Sequence, residues 1–130
     1  MIDVRIITPG GMYLHTEVDQ LNARSVDGNF GLLPDHMPMV AMLDISSMTL
    51  IRDGVEKDYA VSGGLLEYSK NIVTVLTDAI EGEEDIDIER AKAAKERAEK
   101  RLQAKEHSLN MRRAEVALRK AINRINVKGK

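Results

Sequence analysis

Four positively charged side chains toward the C-terminal end have the spacing of an anion-binding cluster. Arg90 and Arg97 are seven residues apart, two turns along one edge of a helix, whereas Lys120 and Arg124 are one turn apart. If two helices fold back on each other near residues 107–108, counting outward from the turn brings all four cations to one end of the hairpin. Like charges this close destabilise the fold unless an anion enters, and arginine suits bidentate contact with phosphate. The pattern therefore predicts a phosphate site.

Two other interpretations of these cations remain open on the pattern alone. They could be solvated charges on an ordinary amphipathic hairpin, since exposed charges contribute little to stability. They could also bind nucleic acid, because residues 85–130 hold fourteen Lys and Arg against seven Asp and Glu (net +7), whereas residues 1–84 hold five against fourteen (net −9). The chain has only one Phe and three Tyr, none of them in the basic segment, so no stacking platform accompanies the charge.

Other kinds of chemistry lack their signatures. The chain has no Cys, and its three histidines are too far apart in sequence for a recognisable metal motif, so we expect neither a thiolate nucleophile nor a metal site. No Walker-type phosphate loop occurs, and Ser46-Ser47 has no nearby His and acid, so no catalytic residue is predicted. No run of about 18 apolar residues predicts a membrane span, and the N-terminal segment does not resemble an export signal.

Two helices are expected to carry the cations. Asp85 or Asp87 can cap a helix over residues 88–104, and a second helix is predicted over residues 111–126, with a possible cap at Ser108 or Asn110. The expected contact stripes are Ala91, Ala94, Ala98 and Leu102 in the first helix and Met111, Ala114, Leu118, Ala121 and Ile125 in the second. Because alanine buries few methylenes, this antiparallel hairpin is weakly packed and able to rearrange.

The first 84 residues are predicted to form short strands separated by turns. Asp53-Gly54 between two alternating segments predicts a β-hairpin with a type I′ turn. Many strands at such spacing are typical of a sandwich or barrel. The expected strands are Asp3–Thr8, Val18–Val26, Met39–Leu43, Met48–Arg52, Val55–Val61, Leu65–Tyr68 and Ile72–Thr77.

The segment from Gly28 to Pro38, GNFGLLPDHMP, holds the only Phe and two of the three Pro. The residues alone predict a turn, a short apolar strand and a proline-bracketed bend that presents His36 in a docking or structural role. The segment resembles the G-x-x-G-x-L-P-x-H-x-P motif of the epsilon subunit of bacterial F-type ATP synthases. The resemblance covers the whole chain, including Ser62-Gly63-Gly64, the strand NIVTVLTD and the helical hairpin.

This resemblance implies an N-terminal β-sandwich of about ten strands over residues 1–84 and a C-terminal antiparallel two-helix hairpin over residues 85–130. It also implies a non-catalytic rotor subunit of a proton-translocating ATP synthase, peripheral to the bacterial membrane on its cytoplasmic side. The partners implied are the gamma subunit, the polar loops of the c-ring, and acidic loops of the catalytic beta subunits. By motif, Asn29 and His36 would face the ring, although some relatives have an acid in place of Asn29.

The same resemblance implies ATP as a regulatory ligand, because Ile86-Asp87-Ile88-Glu89-Arg90-Ala91 matches the [IL]-D-x-x-R-A motif of bacillus-like members. The hairpin would bind ATP when folded and inhibit ATP hydrolysis when extended. An alternative is a coupling and assembly subunit without ATP sensing. Lys120 stands where the family has arginine, so it keeps the charge but loses the planar fork. The implied ATP-binding residues are Glu81, Ile86, Asp87, Arg90, Ala91, Arg97, Lys120 and Arg124.

Overall fold

The computed structural model describes residues 1–104 and 108–129. It divides the chain into two compact units, Met1–Gly82 and Glu83–Lys130, which we call the β unit and the α unit. Within the described ranges, no helix combines the length and the apolar character needed to cross a bilayer.

Eight strands form the β unit. Their sheet order is β2-β1-β7-β6-β5-β3-β4, with β8 paired to β6. The β1–β7 pair is parallel and the other pairs are antiparallel. The strands are β1 (Ile2–Thr8), β2 (Gly11–Val18), β3 (Gln20–Ser25), β4 (Gly28–Leu32), β5 (Met39–Arg52), β6 (Val55–Ser69), β7 (Ile72–Leu76) and β8 (Ile80–Gly82).

The sandwich fold expected from the sequence is confirmed, with eight strands where about ten were expected. Two pairs of predicted short strands are each one long strand, β5 and β6. Ser46, Ser47 and Gly64 remain within the paired ladder, and Gly63 lies inside β6. Glycine allows the positive φ angles of 83° and 129° that Gly63 and Gly64 adopt inside β6. The Asp53-Gly54 turn is confirmed, with positive φ at both residues (51° and 78°), as a type I′ turn requires.

The core of the β unit consists of large apolar side chains that alternate along the strands. In β1, Ile2, Val4 and Ile6 are fully buried while the residues between them are partly exposed. This is the period-two pattern of a sheet with one face against the core. The largest fully buried side chains of the unit include Tyr68, Leu21, Leu32, Met48, Leu66, Val61, Val73 and Val75.

The α unit contains a short 3₁₀ turn, Glu83–Asp85, followed by two helices, α1 (Ile88–Gln103) and α2 (Ser108–Lys128). The two helices pack against each other, as the predicted hairpin requires. Of the two candidate caps for the first helix, Asp87 takes the position. The link between the helices, residues 105–107, lies outside the described residues, and so do the side chains of the expected caps Ser108 and Asn110.

The buried face of the hairpin is the alanine seam that the heptad-like spacing predicts. At most 3% of the surface of Ala91, Ala98, Ala114 or Ala121 is exposed. The other members of the two predicted stripes are half-buried: Ala94, Leu102, Met111, Leu118 and Ile125. Alanines therefore occupy the most deeply buried positions of both predicted stripes.

Candidate functional site

The N-terminus of α1 is fixed by the aspartate of the matched motif. The Asp87 backbone is extended (φ −85°, ψ 103°), and its Oδ1 accepts a hydrogen bond from the backbone N–H of Arg90 at 3.1 Å. The backbone N–H of Ala91 donates to the Asp87 carbonyl at 3.0 Å. Ile86 and Ala91 are buried, whereas Arg90 is exposed. Asp87 is thus an N-cap, which relieves one unsatisfied helix N–H and leaves the Arg90 guanidinium at the surface of the first turn.

The predicted cations divide into an exposed pair and a half-buried pair. Arg90 and Arg97 on α1 are exposed, and Lys120 and Arg124 on α2 are half-buried. Helix packing places both pairs in one hairpin. Their convergence at one end, and the binding of phosphate there, remain predictions.

Two nearby contacts in the α unit involve other side chains. Lys95 Nζ lies 3.8 Å from Glu99 Oε1 one turn along α1, and Lys128 Nζ donates to the Glu83 carbonyl at 3.1 Å. The second contact joins the end of α2 to the 3₁₀ turn before α1, so it holds the two ends of the hairpin together. Among the described residues, no group of His, Asp and Glu side chains is suited to hold a metal ion.

The remaining predicted site residues lie in the β unit. Glu81 is in β8, opposite Ala60 of β6. Asn29 is exposed on β4, opposite Arg24 of β3. His36 lies in the bend between β4 and β5, with its exposed imidazole edge-on to the Tyr68 ring at 5.7 Å between centroids.

A hydrogen-bonded network behind the His36 bend was missed by sequence reasoning. Tyr68 appeared there only as a strand residue and Asn71 only as a turn residue, yet both contact the backbone of the bend. The signal available in the sequence was weak: an asparagine in a two-residue turn, where positive φ is tolerated, next to a tyrosine at the end of a strand. The contact itself spans 36 residues and has no local pattern.

A second polar cluster, also missed, joins β1 to β2. The Asp3 carboxylate accepts hydrogen bonds from the Arg5 guanidinium at 3.1 Å and from His15 Nε2 at 2.8 Å when that nitrogen carries a proton. The hydrogen bond from Arg5, helped by its charge and by His15, holds the pKa of Asp3 below its usual 3.8. Arg5 Nε is buried without a hydrogen-bond partner, and the hydrogen bond from the guanidinium to Asp3 comes from Nη2.

Comparison with known proteins gives the same division of the chain. The family model for the β-sandwich domain of the ATP synthase delta/epsilon chain matches residues 1–83, and the model for the long α-helix domain of that chain matches residues 84–129. An ATP synthase epsilon chain of Halalkalibacterium halodurans is 43% identical over 99% of this chain and 98% of its own length. Another, from Bacillus velezensis, is 44% identical over 98% of this chain and 97% of its own length.

Solved structures show the same fold. A chain in the Euglena gracilis mitochondrial ATP synthase, in a structure of its OSCP, F1 and c-ring, aligns with a TM-score of 0.80 at 24% identity, over 91% of this chain and 75% of that chain. A chain in the central stalk and c-ring of the Tetrahymena thermophila enzyme aligns with a TM-score of 0.56 at 14% identity, over 71% and 70%. With both domains matched by family models and relatives above 40% identity over nearly the full length, the chain belongs to the ATP synthase delta/epsilon chain family.

Proposed function

We propose that this chain is a rotor subunit in the central stalk of a membrane-bound F-type ATP synthase, and that its α unit is a nucleotide-sensed brake on ATP hydrolysis. Family membership supports the first part, together with the fold shared with chains of assemblies that contain a c-ring. The β unit would dock on the gamma subunit and the polar loops of the ring, through a surface that includes Asn29 and His36. The subunit itself would catalyse nothing.

One observation carries the braking part of the proposal. The most deeply buried positions of the predicted α1–α2 contact are alanines, while Arg90 and Arg97 project into solvent on the same helix that Asp87 caps. A contact that buries few methylenes gains little free energy, roughly 0.8 kcal/mol per methylene. A ligand that binds only the folded hairpin can therefore shift its conformational equilibrium.

The expected size of that shift follows from mass action. At a ligand concentration a hundredfold above Kd, binding to the folded state alone stabilises it by about 2.7 kcal/mol. Arg90, Arg97 and Arg124 would contact the phosphates of ATP, and the Lys120 ammonium would add charge without bidentate geometry. Without ATP the hairpin would extend: about 40 helical residues at about 1.5 Å each reach roughly 60 Å. The cations would then meet acidic loops of the catalytic beta subunits and stop rotation in the hydrolysis direction.

Isothermal titration of the full chain with ATP tests the sensor. Wild type is expected to bind, and Arg90→Ala and Arg97→Ala are each expected to weaken binding about tenfold or more, as for a lost charge-assisted contact. Arg101→Ala is the matched control, because Arg101 is also exposed on α1 but lies outside the predicted set. Absence of binding at millimolar ATP, or equal losses in all three variants, would overturn the sensor.

Removal of residues 85–130 from the assembled enzyme tests the brake. The proposal expects faster ATP hydrolysis by the truncated assembly, at unchanged content of the other subunits. An unchanged hydrolysis rate would instead leave the subunit a coupling and assembly part. Binding of the full chain to duplex DNA, with the steep salt dependence of phosphate contacts, would point to the nucleic-acid interpretation of the basic helices.

A further inference from the structure

The bend before β5 is held by a turn from another part of the sheet. Asp35 and Asn71 exchange two hydrogen bonds: the Asp35 backbone N–H donates to Asn71 Oδ1 at 2.7 Å, and Asn71 Nδ2 donates to Asp35 Oδ1 at 3.2 Å. The bend is residues 33–38, and Asn71 lies in the two-residue turn between β6 and β7. One side chain thus satisfies both the backbone and the carboxylate of the bend residue.

The hydroxyl of the buried Tyr68 belongs to the same hydrogen-bonded network. Tyr68 is 1% exposed, and its ring is part of the core of the β unit. Its hydroxyl accepts from the backbone N–H of His36 at 3.3 Å and has two acceptors for its own proton, the Leu33 carbonyl at 3.2 Å and Asn71 Oδ1 at 2.9 Å. A buried ring has little rotational freedom, so this hydroxyl is a fixed point for the bend.

Backbone conformation shows why these contacts are needed. Asp35 has a φ of 66°, and Lys70 and Asn71 have φ of 52° and 62°. Residues other than glycine rarely adopt this left-handed backbone conformation, which costs of order 1 kcal/mol or more of conformational free energy. It persists only where the surrounding structure holds it. Asparagine and aspartate tolerate this conformation better than most other residues, and hydrogen bonds from outside the bend fix Asp35 in it.

The bend in turn sets the tautomer of His36. Its Nδ1 lies 2.8 Å from the Met37 carbonyl oxygen, which can only accept, so Nδ1 carries the proton. In the neutral ring Nε2 is then an acceptor, and His36 as a whole is exposed. Leu33 and Met37 are 56% and 75% exposed on either side of it in sequence. The bend thus places the acceptor nitrogen of His36 between two exposed apolar side chains in sequence, beside the Asp35 carboxylate.

We propose that Tyr68 and Asn71 are positioning residues that preform this surface, and that its partner presents a hydrogen-bond donor, such as a guanidinium or amide, to His36 Nε2. The inference rests on the proposed docking of the β unit and adds the chemistry that the docked loop must have. A preformed bend loses little conformational entropy on binding, so affinity depends on the two residues even without a direct contact between them and the partner.

Hydrogen exchange and nitrogen NMR of the free full chain test the positioning. Tyr68→Phe keeps the buried ring and removes the hydroxyl, and Asn71→Gly keeps the positive φ and removes the amide. We expect exchange of the Asp35 amide in Asn71→Gly, and of the His36 amide in Tyr68→Phe, to accelerate about tenfold, with a shift of His36 from the Nδ1–H toward the Nε2–H tautomer.

Two matched controls separate positioning from general destabilisation. Tyr59→Phe removes a hydroxyl from a buried tyrosine on the same strand, and Lys70→Gly changes the neighbouring residue of the same turn. Neither is expected to alter exchange in the bend. The proposal is overturned if Asp35 and His36 exchange as in wild type in both variants, or if the controls accelerate them equally. If one variant does not fold, the other still decides.

Reassociation with the c-ring tests the partner chemistry. The full chain is added, with the rest of the stalk and head, to membranes that retain the ring, and coupled proton pumping is measured against concentration. We expect Asn71→Gly and Tyr68→Phe to raise the half-saturating concentration about tenfold and the controls to leave it unchanged. If His36→Ala reassociates as wild type does, this bend is not part of the docking surface. If the Asp35 and His36 amides exchange normally in the free variants, Tyr68 and Asn71 do not position the bend.

Discussion

The two units bury very different side chains, although each is built on a regular apolar period. The β unit packs large residues such as Leu66, Ile6 and Tyr68 to 1% exposure or less. In the α unit the most deeply buried positions of the two predicted contact stripes are alanines, and the larger residues of the same stripes are only half-buried. Outside the stripes, Val127 near the end of α2 is 1% exposed. Since stabilisation follows the apolar area buried, a regular apolar pattern gives a stable body in one unit and a weakly held hairpin in the other.

This difference is what the proposed regulated rotor subunit would require. Positioning against partners demands a rigid unit, and the fixed bend around Asp35 belongs to the unit with the large core. A switch demands a unit whose packing energy a ligand can outweigh. In this chain of 130 residues the two requirements fall on different segments, so no single core has to be both rigid and easily rearranged.

The largest expected effect comes from truncating a core side chain. Leu66→Ala is expected to lower the free energy of unfolding of the β unit by about 3 to 4 kcal/mol, because Leu66 is fully buried on a central strand. Leu118→Ala in the half-buried stripe of α2 is expected to cost about 1 kcal/mol. Urea denaturation checks both.

The chain provides a separate signal for each unit. Its three tyrosines all lie in the β unit and it has no Trp, so tyrosine fluorescence follows that unit, whereas circular dichroism at 222 nm follows mainly the helices. Equal losses for the two leucine variants would contradict the comparison, because they would show that the hairpin contact is as strongly packed as the sheet core.

The second prediction concerns the rigidity of β6. Gly64 has a φ of 129°, and an added Cβ would overlap the Leu76 carbonyl of the neighbouring strand. Gly64→Ala is therefore expected to lower the free energy of unfolding by about 3 kcal/mol, measured by the same fluorescence. Gly10→Ala is the control, because its Cβ would meet only the Thr8 hydroxyl at an ordinary 3.8 Å and its φ is not positive; it should change stability by less than about 0.5 kcal/mol.

Sequence patterns predicted the parts of the fold that depend on local period. The Asp53-Gly54 hairpin, strand β1, both helices and the alanine seam followed from turn chemistry and spacing. Strand β2 was missed, and Val18 was placed at the start of the next strand, because β2 is an edge strand with a single buried residue, Val18. The expected breaks in β5 and β6 were wrong because the two long strands stay paired with each other through Ser46, Ser47 and Gly64.

Less of the candidate site could be read from the sequence. The Asp87 cap followed from local helix signals, and the exposed Arg90 and Arg97 from helical spacing. The contact of Tyr68 and Asn71 with the His36 bend joins segments 32 to 36 residues apart, and only the strand order brings them together. Contacts between the cations and a ligand could not be predicted in the same way, because they depend on the identity of the anion, which the spacing of the cations does not specify.

The third prediction tests how far the α unit depends on local rather than packing energy. Asp87→Ala removes the N-cap of α1 and is expected to destabilise the hairpin by about 1 kcal/mol, a large share of its small packing energy. Loss of helical signal at 222 nm on heating measures the effect. Asp85→Ala, in the preceding 3₁₀ turn, removes a similar charge without removing the cap. Equal effects of the two variants would assign the loss to charge rather than to capping.

The smallest expected effect concerns pH and lies at the edge of the β unit. The Arg5 guanidinium holds the pKa of Asp3 below 3.8 in the folded chain, so its carboxylate stabilises the fold at pH values above 3.8, and this contribution is lost as pH falls through the lowered pKa. Thermal melts of wild type and Asp3→Asn should therefore differ near pH 6 and converge in strong acid. Both groups are partly exposed, so the difference should also shrink with added salt. If the melting temperatures still differed in strong acid, Asp3 would act through packing at the β1–β2 edge. The charge of Asp3 would then contribute nothing to the rigidity that distinguishes this unit from the hairpin.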